Sequence, residues 1–331
     1  LSSDIVLPIS ESVFLSSSPE EIEKYILQHI VDDNLNRKIL APSESINAIT
    51  VGSAQTDSGP NTWVNQAGRP ILLTDNQLMS PISRIGFGYR GSIKPDILMP
   101  GGRKCYRKYN FNSDANNSTV LKIENFKFSS HPPGTKVAVP SEVGSLRETG
   151  FITGTSGAAA LATRLACQIY EMLKNLNSNN TEQIPDEYFT VIIKALLVHG
   201  AGWGKSSNRL YGIIENKPGV PPKFVKKHMT PYLGYGVVDN QRALSCNDSR
   251  VMLLGWGNLM DEKAHEFVFP LPPVLEGLSI EKRITITLAW LSPTNGLSRK
   301  YRQSRMYVVN ITGKNYVTSG EKLSLERKGV D

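Results

Sequence analysis

The stretch "GTSGAAALATR", Gly154 to Arg164, places one serine between a Gly-Thr turn and an alanine-rich run. A hydroxyl at a helix start can do two kinds of work. It can cap the helix by accepting a hydrogen bond from a first-turn N–H. It can instead attack a carbonyl, because the turn exposes the oxygen and the free N–H groups of the first turn face the reacting centre. Residue types alone leave both open at Ser156. A nucleophilic serine also needs a base, and the histidines are His29, His131, His199, His228 and His265. His199 falls where a helix is expected to end, and the favourable interaction of a cationic ring with the helix dipole is reason enough for it. "TDSG", Thr56 to Gly59, has turn-forming composition and reads as a surface turn.

The elements that would position Ser156 follow from periodicity. "IVLPI" (Ile5–Ile9) reads as a short buried strand. "SPEEIEKYILQHIVDD" from Ser18 reads as an amphipathic helix, with Ser18 as N-cap, Pro19 at the first position and Ile22, Tyr25, Ile26 and Ile30 on one face. "INAITVGSAQT" is a second buried strand, and "IKPDILMPGG" (Ile93–Gly102) a third, stopped by Pro100-Gly101. "YNFNSDANNSTVLKIENFKF" suggests a hairpin around an Asn-rich turn. Helices are expected from Ser156 to about Leu173 and from Pro185 to near Gly200. Beyond about residue 250, "EFVFPL", "KRITITLAW" and "RMYVVNIT" have strand periodicity with no helix between them. The expected fold class is therefore α/β with a mostly parallel sheet over residues 1–249, followed by an antiparallel, sandwich-like β domain over 250–331.

Composition narrows the function classes. The chain has 331 residues, 40% of them hydrophobic, enough for an ordinary packed core. No apolar run is long enough for a membrane span, and "LSSDIVLPISESVF" lacks the features of a signal peptide, so no membrane partner and a cytoplasmic location are expected. Cys105, Cys167 and Cys246 fit no metal-ligand spacing and no disulfide framework. Neither a metal nor another cofactor is expected. The net charge of +7 has its densest run in "RKYRQSR" (Arg299–Arg305), which reads as a solvated loop. No nucleic-acid motif accompanies it, so nucleic acid is not expected as a partner.

Four segments, in order, resemble the subtilases, the subtilisin-like serine peptidases of the S8 family. "GTSGAAALATRLA" resembles their nucleophile motif, "IKPDILMPGG" the preceding Lys-Pro-Asp strand and Pro-Gly turn, "INAITVGSA" the Val-Gly-Ala strand, and "GYGVVDNQRAL" from Gly234 the closing Gly-x-Gly segment. The resemblance covers roughly Ile5 to Leu244, and its style is that of bacterial intracellular subtilases often paired with AAA-type ATPases. It implies part of a subtilisin-like three-layer domain, with Ser156 as nucleophile and its backbone N–H holding half of the oxyanion. It also implies a polypeptide substrate. In the family the aspartate and histidine motifs precede the Val-Gly-Ala strand, so this chain is expected to lack them, and none of its histidines stands in a His-Gly-Thr context. An N-terminal half or a complementing chain would then supply them, and an AAA-type ATPase is a further expected partner. The same alignment sets Glu11, after "IVLPI", where relatives carry an oxyanion-binding amide, and makes Leu40, Ala41 and Pro42 a wall for the substrate side chain.

Loss of one oxyanion donor costs about 10²- to 10³-fold in rate, a figure from a subtilisin and so from the resembled family. Loss of the histidine costs roughly 10⁶-fold in the same enzyme. The first reading is thus a serine endopeptidase that is incomplete in this chain and nearly inactive in isolation. The alternative is a pseudopeptidase that binds peptides or a partner without cleaving them, which Glu11 would favour. A partial sheet is also expected to leave an open edge and apolar surface.

Overall fold

The computed structural model describes residues 4–57, 59, 70–73, 77–109, 118–124, 129–141, 144–247, 250–260, 263–267, 282–304, 306 and 323–330. Strand β1 (Asp4–Leu7) buries Ile5 and Leu7 and turns Val6 outward, the alternation of a strand with one face on the core. Helix α1 (Glu11–Ser16) starts at Ser10, whose hydroxyl accepts the Val13 N–H. Helix α2 (Pro19–Asp32) opens as its sequence dictates. Ser18 Oγ accepts the Glu21 N–H, Glu21 Oε2 accepts the Ser18 N–H at 2.7 Å, and Pro19 fills the first turn. Its inner face, Ile26, Leu27, Ile30 and Val31, is buried, each side chain contributing about 2–3 kcal/mol of burial.

Strands β4 (Tyr106–Tyr109) and β5 (Thr119–Ile123) form the expected hairpin, with Tyr106 opposite Ile123. β1 adds antiparallel to β5, giving a three-stranded sheet ordered β1-β5-β4. A second sheet has the order β2-β3-β9-β8 and contains β2 (Val51–Ala54), β3 (Ile97–Pro100), β8 (Ala201–Gly202) and β9 (Val237–Val238). β2 and β3 run parallel from Val51↔Ile97 to Ala54↔Pro100, and β3 pairs in parallel with β9 at Leu98↔Val237. The architecture is mixed α/β, as expected.

The outer edge of β2 is not open. Ser80 N–H donates to Ser53 O at 2.7 Å, Gln55 N–H donates to Leu78 O at 2.9 Å, and the Ser53 N–H is taken up by Ser83 Oγ at 3.0 Å. The chain thus covers this edge with its own residues 78–83.

Contacts divide the chain into two compact units, residues 1–163 with 201–237, and residues 164–200 with 238–331. The first holds both sheets, as far as Val237 of β9, together with α5 (Ser207–Glu215) and α6 (Val225–Leu233), and its core gathers Ile5, Ile26, Leu98, Leu121, Ile213 and Met229. Helix α3 (Thr155–Asn179) begins in the first unit, and its residues from 164 onward belong to the second. The second also contains α4 (Phe189–Gly200), α7 (Asn240–Leu244), β10 (Lys282–Ala289) and β11 (Leu323–Val330). Here α4 packs on α7 and on the β10–β11 pair. That pair is parallel, from Lys282↔Leu323 to Ala289↔Val330, where an antiparallel arrangement was expected. Strands this far apart in sequence have no hairpin to force antiparallel pairing. The runs "EFVFPL" and "RMYVVNIT" lie largely outside the described residues. Among the described residues, no helix is long and apolar enough to cross a membrane.

Candidate active site

Strand β7 (Thr149–Ile152) pairs antiparallel with β6 (Thr135–Ala138), and the chain then turns through Thr153 and Gly154 into α3. The helix start decides whether Ser156 is the capping residue. Ala158 N–H donates to Gly154 O at 3.4 Å, the first bond of the helix, so Gly154 stands at the N-cap. Ser156 is the second residue of a 25-residue helix, and it is exposed. It is therefore not the capping residue. Gly154 has φ +147, a conformation that costs a side-chain-bearing residue strain and glycine none. With that bond as the first, the N–H groups of Thr155, Ser156 and Gly157 lie outside the helix's own ladder, at its positive end. A hydroxyl among such donors can attack a carbonyl while the donors receive the oxyanion.

The turn is held by the carboxyl ends of the parallel strands, where open α/β sheets place their ligands. Gly154 N–H donates to Gly101 O at 2.7 Å. Gly101 N–H in turn reaches Ala54 O at 3.2 Å, and Gly102 N–H reaches Thr56 O at 2.9 Å. A Cβ on Gly101 would stand 1.8 Å from Ser53 Oγ and 3.0 Å from Gly154 O, so the approach of the two segments requires glycine. Below the helix start, Gly157 and Ala158 are buried, with Ile152 Cδ1 3.6 Å from the Cβ position of Gly157. On its outer side Ser156, Ala159, Ala160 and Thr163 are exposed.

Asp57 was expected in a surface turn, and the structure buries it. Its side chain is 0% exposed and that of Arg103 5%, with Arg103 Nη2 2.8 Å from Asp57 Oδ1. The carboxylate also accepts the backbone N–H groups of Gly59 at 2.8 Å, Arg103 at 2.8 Å and Gly134 at 3.0 Å. Hydrogen bonding and an ion pair outweigh the turn-forming composition that sends such a segment to the surface. Beside this pair, burial pushes the Lys104 ammonium below its ordinary pKa.

Other sequence-derived site residues are not brought to Ser156. Glu11 opens α1 and pairs with Lys108 of β4, on the antiparallel sheet rather than on the parallel sheet that supports the Ser156 turn. The reason is that β1 joins β5, so "IVLPI" is not a strand of the parallel sheet. Leu40, Ala41 and Pro42 form an exposed turn, with Leu40 59% accessible. Ser43, next to them, accepts the Thr50 hydroxyl at 2.6 Å, which puts this turn at the start of β2. Ser156 is held at the opposite end of that strand. Among the histidines, His199 at the end of α4 lies 3.0 Å from Thr287 Oγ1, and His131 bonds Ser130 in an exposed loop.

Comparison with known proteins bears on this arrangement. The sequence model of the subtilase family matches residues 19–219. An uncharacterized protein, y4bN, of Sinorhizobium fredii (strain NBRC 101917 / NGR234) is 24% identical over 270 residues, covering 80% of this chain and 54% of that protein. The chain thus spans about half the length of this curated relative. No solved structure matches the chain.

Proposed function

The chain belongs to the subtilase family, and on that premise we propose that it carries the nucleophile of a serine endopeptidase, Ser156. The observation that carries this reading is the placement of Ser156. It is exposed in the first turn of α3, it is not the cap, and its turn is pinned by Gly101 beyond the carboxyl end of β3. A residue kept only to cap a helix has no use for that position. In the complete protein the Ser156 hydroxyl attacks the peptide carbonyl, a histidine outside the motifs of this chain takes its proton, and an aspartate orients that histidine. The N–H of Ser156 contributes to the oxyanion hole. The substrate is a polypeptide.

The base and its aspartate come from an N-terminal half or a complementing polypeptide, so these residues alone turn over peptides at a negligible rate. The experiment is labelling of the whole protein with a fluorophosphonate probe. Ser156 is expected to take the label, and Ser156→Ala to abolish it. Absence of label on Ser156, with the complementing segment present, would sink the reading and leave a binding role.

A further inference from the structure

Resting on the reading of Ser156 as nucleophile, we propose that Asp57 is the positioning residue of this site, its buried carboxylate fixing the turn that presents the serine. Three segments converge on it: the one after β2, the one after β3 and the one before β6. Oδ2 accepts the N–H groups of Arg103 at 2.8 Å and Gly134 at 3.0 Å. Oδ1 accepts Gly59 N–H at 2.8 Å and Arg103 Nη2 at 2.8 Å, and Arg103 Nε lies 3.1 Å from both oxygens. Arg103 Nη2 also donates to Gly59 O at 2.7 Å, closing the cluster. A carboxylate has about four lone-pair sites, so this one is saturated and its orientation fixed.

The anchored residues lie directly under the run that leads to Ser156. A Cβ at Gly134 would be 2.7 Å from Ile152 O, and one at Gly102 would be 2.6 Å from Thr153 Cγ2 and 3.2 Å from Gly134 Cα. Gly101, the residue before Gly102, holds Gly154 N–H. A shift of any of the three segments therefore passes by contact to Ile152, Thr153 and Gly154, and so to the first turn of α3. Arg103 balances the charge, so the site gains a rigid acceptor without a net anion near a developing oxyanion. An apolar pair could fill the volume, but it could not hold three backbone N–H groups.

Hydrogen exchange and probe labelling on the whole protein test this. Asp57→Asn keeps the shape but replaces one accepting oxygen with an NH2 donor that faces the N–H groups it held. Exchange over residues 149–161 is expected to speed by at least about tenfold while α2 keeps its protection. That variant leaves the Arg103 cation unbalanced, so Asp57→Asn/Arg103→Gln serves as its neutral counterpart and is expected to show the same local loss. The probe's maximal inactivation rate falls about 10- to 100-fold in both variants at unchanged KI, the split that a displaced nucleophile gives. Wild-type protection of residues 149–161 in both variants overturns the proposal, and so does an equal loss over α2 in both. A wild-type protein whose Ser156 takes no label defeats the peptidase reading instead, and the exchange comparison alone then decides the role of Asp57.

Discussion

Lys94 and Asp96 show what a buried pair does away from the site. Their side chains are 0% and 2% exposed, and Lys94 Nζ stands 2.6 Å from Asp96 Oδ2. Nζ also donates to Ala48 O at 2.7 Å, and Asp96 Oδ2 accepts the Thr50 N–H at 2.6 Å. The pair therefore fastens the start of β3 to the segment entering β2. Lys94→Met strands a carboxylate in the core and is expected to cost about 3–5 kcal/mol in urea unfolding. Lys94→Met/Asp96→Leu should recover part of that loss, because no charge is left buried. Failure of the double variant to exceed the single one in midpoint would contradict this account. Asp57 and Arg103 were legible only in retrospect. Once Ala54 pairs with Pro100, continuing the register by three residues sets Asp57 beside Arg103. The sequence holds both residues but not the pairing, so Asp57 reads as a turn residue until the two strands are laid side by side.

Helix α2 and the sheet edges show how far elements can be read. The capping box, Pro19 and the apolar face of α2 are local, and all were visible in "SPEEIEKYILQHIVDD". What its last turn faces was not. His29 lies near Arg37, Asp33 and Asp32 and its ring donates a hydrogen bond to the Val6 backbone carbonyl, while burial, followed by the Arg37 charge, pushes its pKa below 6.5. The fold thus favours the neutral ring. The unfolded chain takes up the proton first as pH falls, so this contribution to stability is full above pH 6.5 and is lost below it. Wild-type protein should lose more urea stability between pH 7.5 and pH 5.5 than His29→Gln. Equal losses would remove His29 as a cause. Similarly, the three apolar residues of β1, Ile5 to Leu7, announce a strand but not its partner. Only the β1–β5 ladder shows that Glu11 cannot serve the parallel sheet.

At the scale of the molecule, the second unit makes a prediction about autonomy. A two-stranded sheet is marginal in water on its own, and β10–β11 gains its cover from α4, far upstream in the chain. A fragment spanning residues 250–331 lacks α4 and is expected to show collapsed amide dispersion in an NMR spectrum, whereas the signals of the same residues in the whole chain should be dispersed. A well-dispersed spectrum from the fragment would contradict this dependence. Strand propensity in "KRITITLAW" was legible. Its parallel pairing and its dependence on α4 were not, because both arise between segments distant in sequence. The same division runs through the whole protein. Sequence alone determined the α/β character, the cap of α2, the hairpin of β4 and β5, and the motifs that identify the family around Ser156, because each is written in consecutive residues. The tertiary structure alone decided that Gly154 rather than Ser156 stands at the cap position. It likewise decided that Asp57 is buried against Arg103, that residues 78–83 cover the edge of β2, and that Glu11 and Leu40–Pro42 lie apart from the serine. Those outcomes depend on which strands pair and in what register, and a periodicity of two or of 3.6 residues does not name the partner.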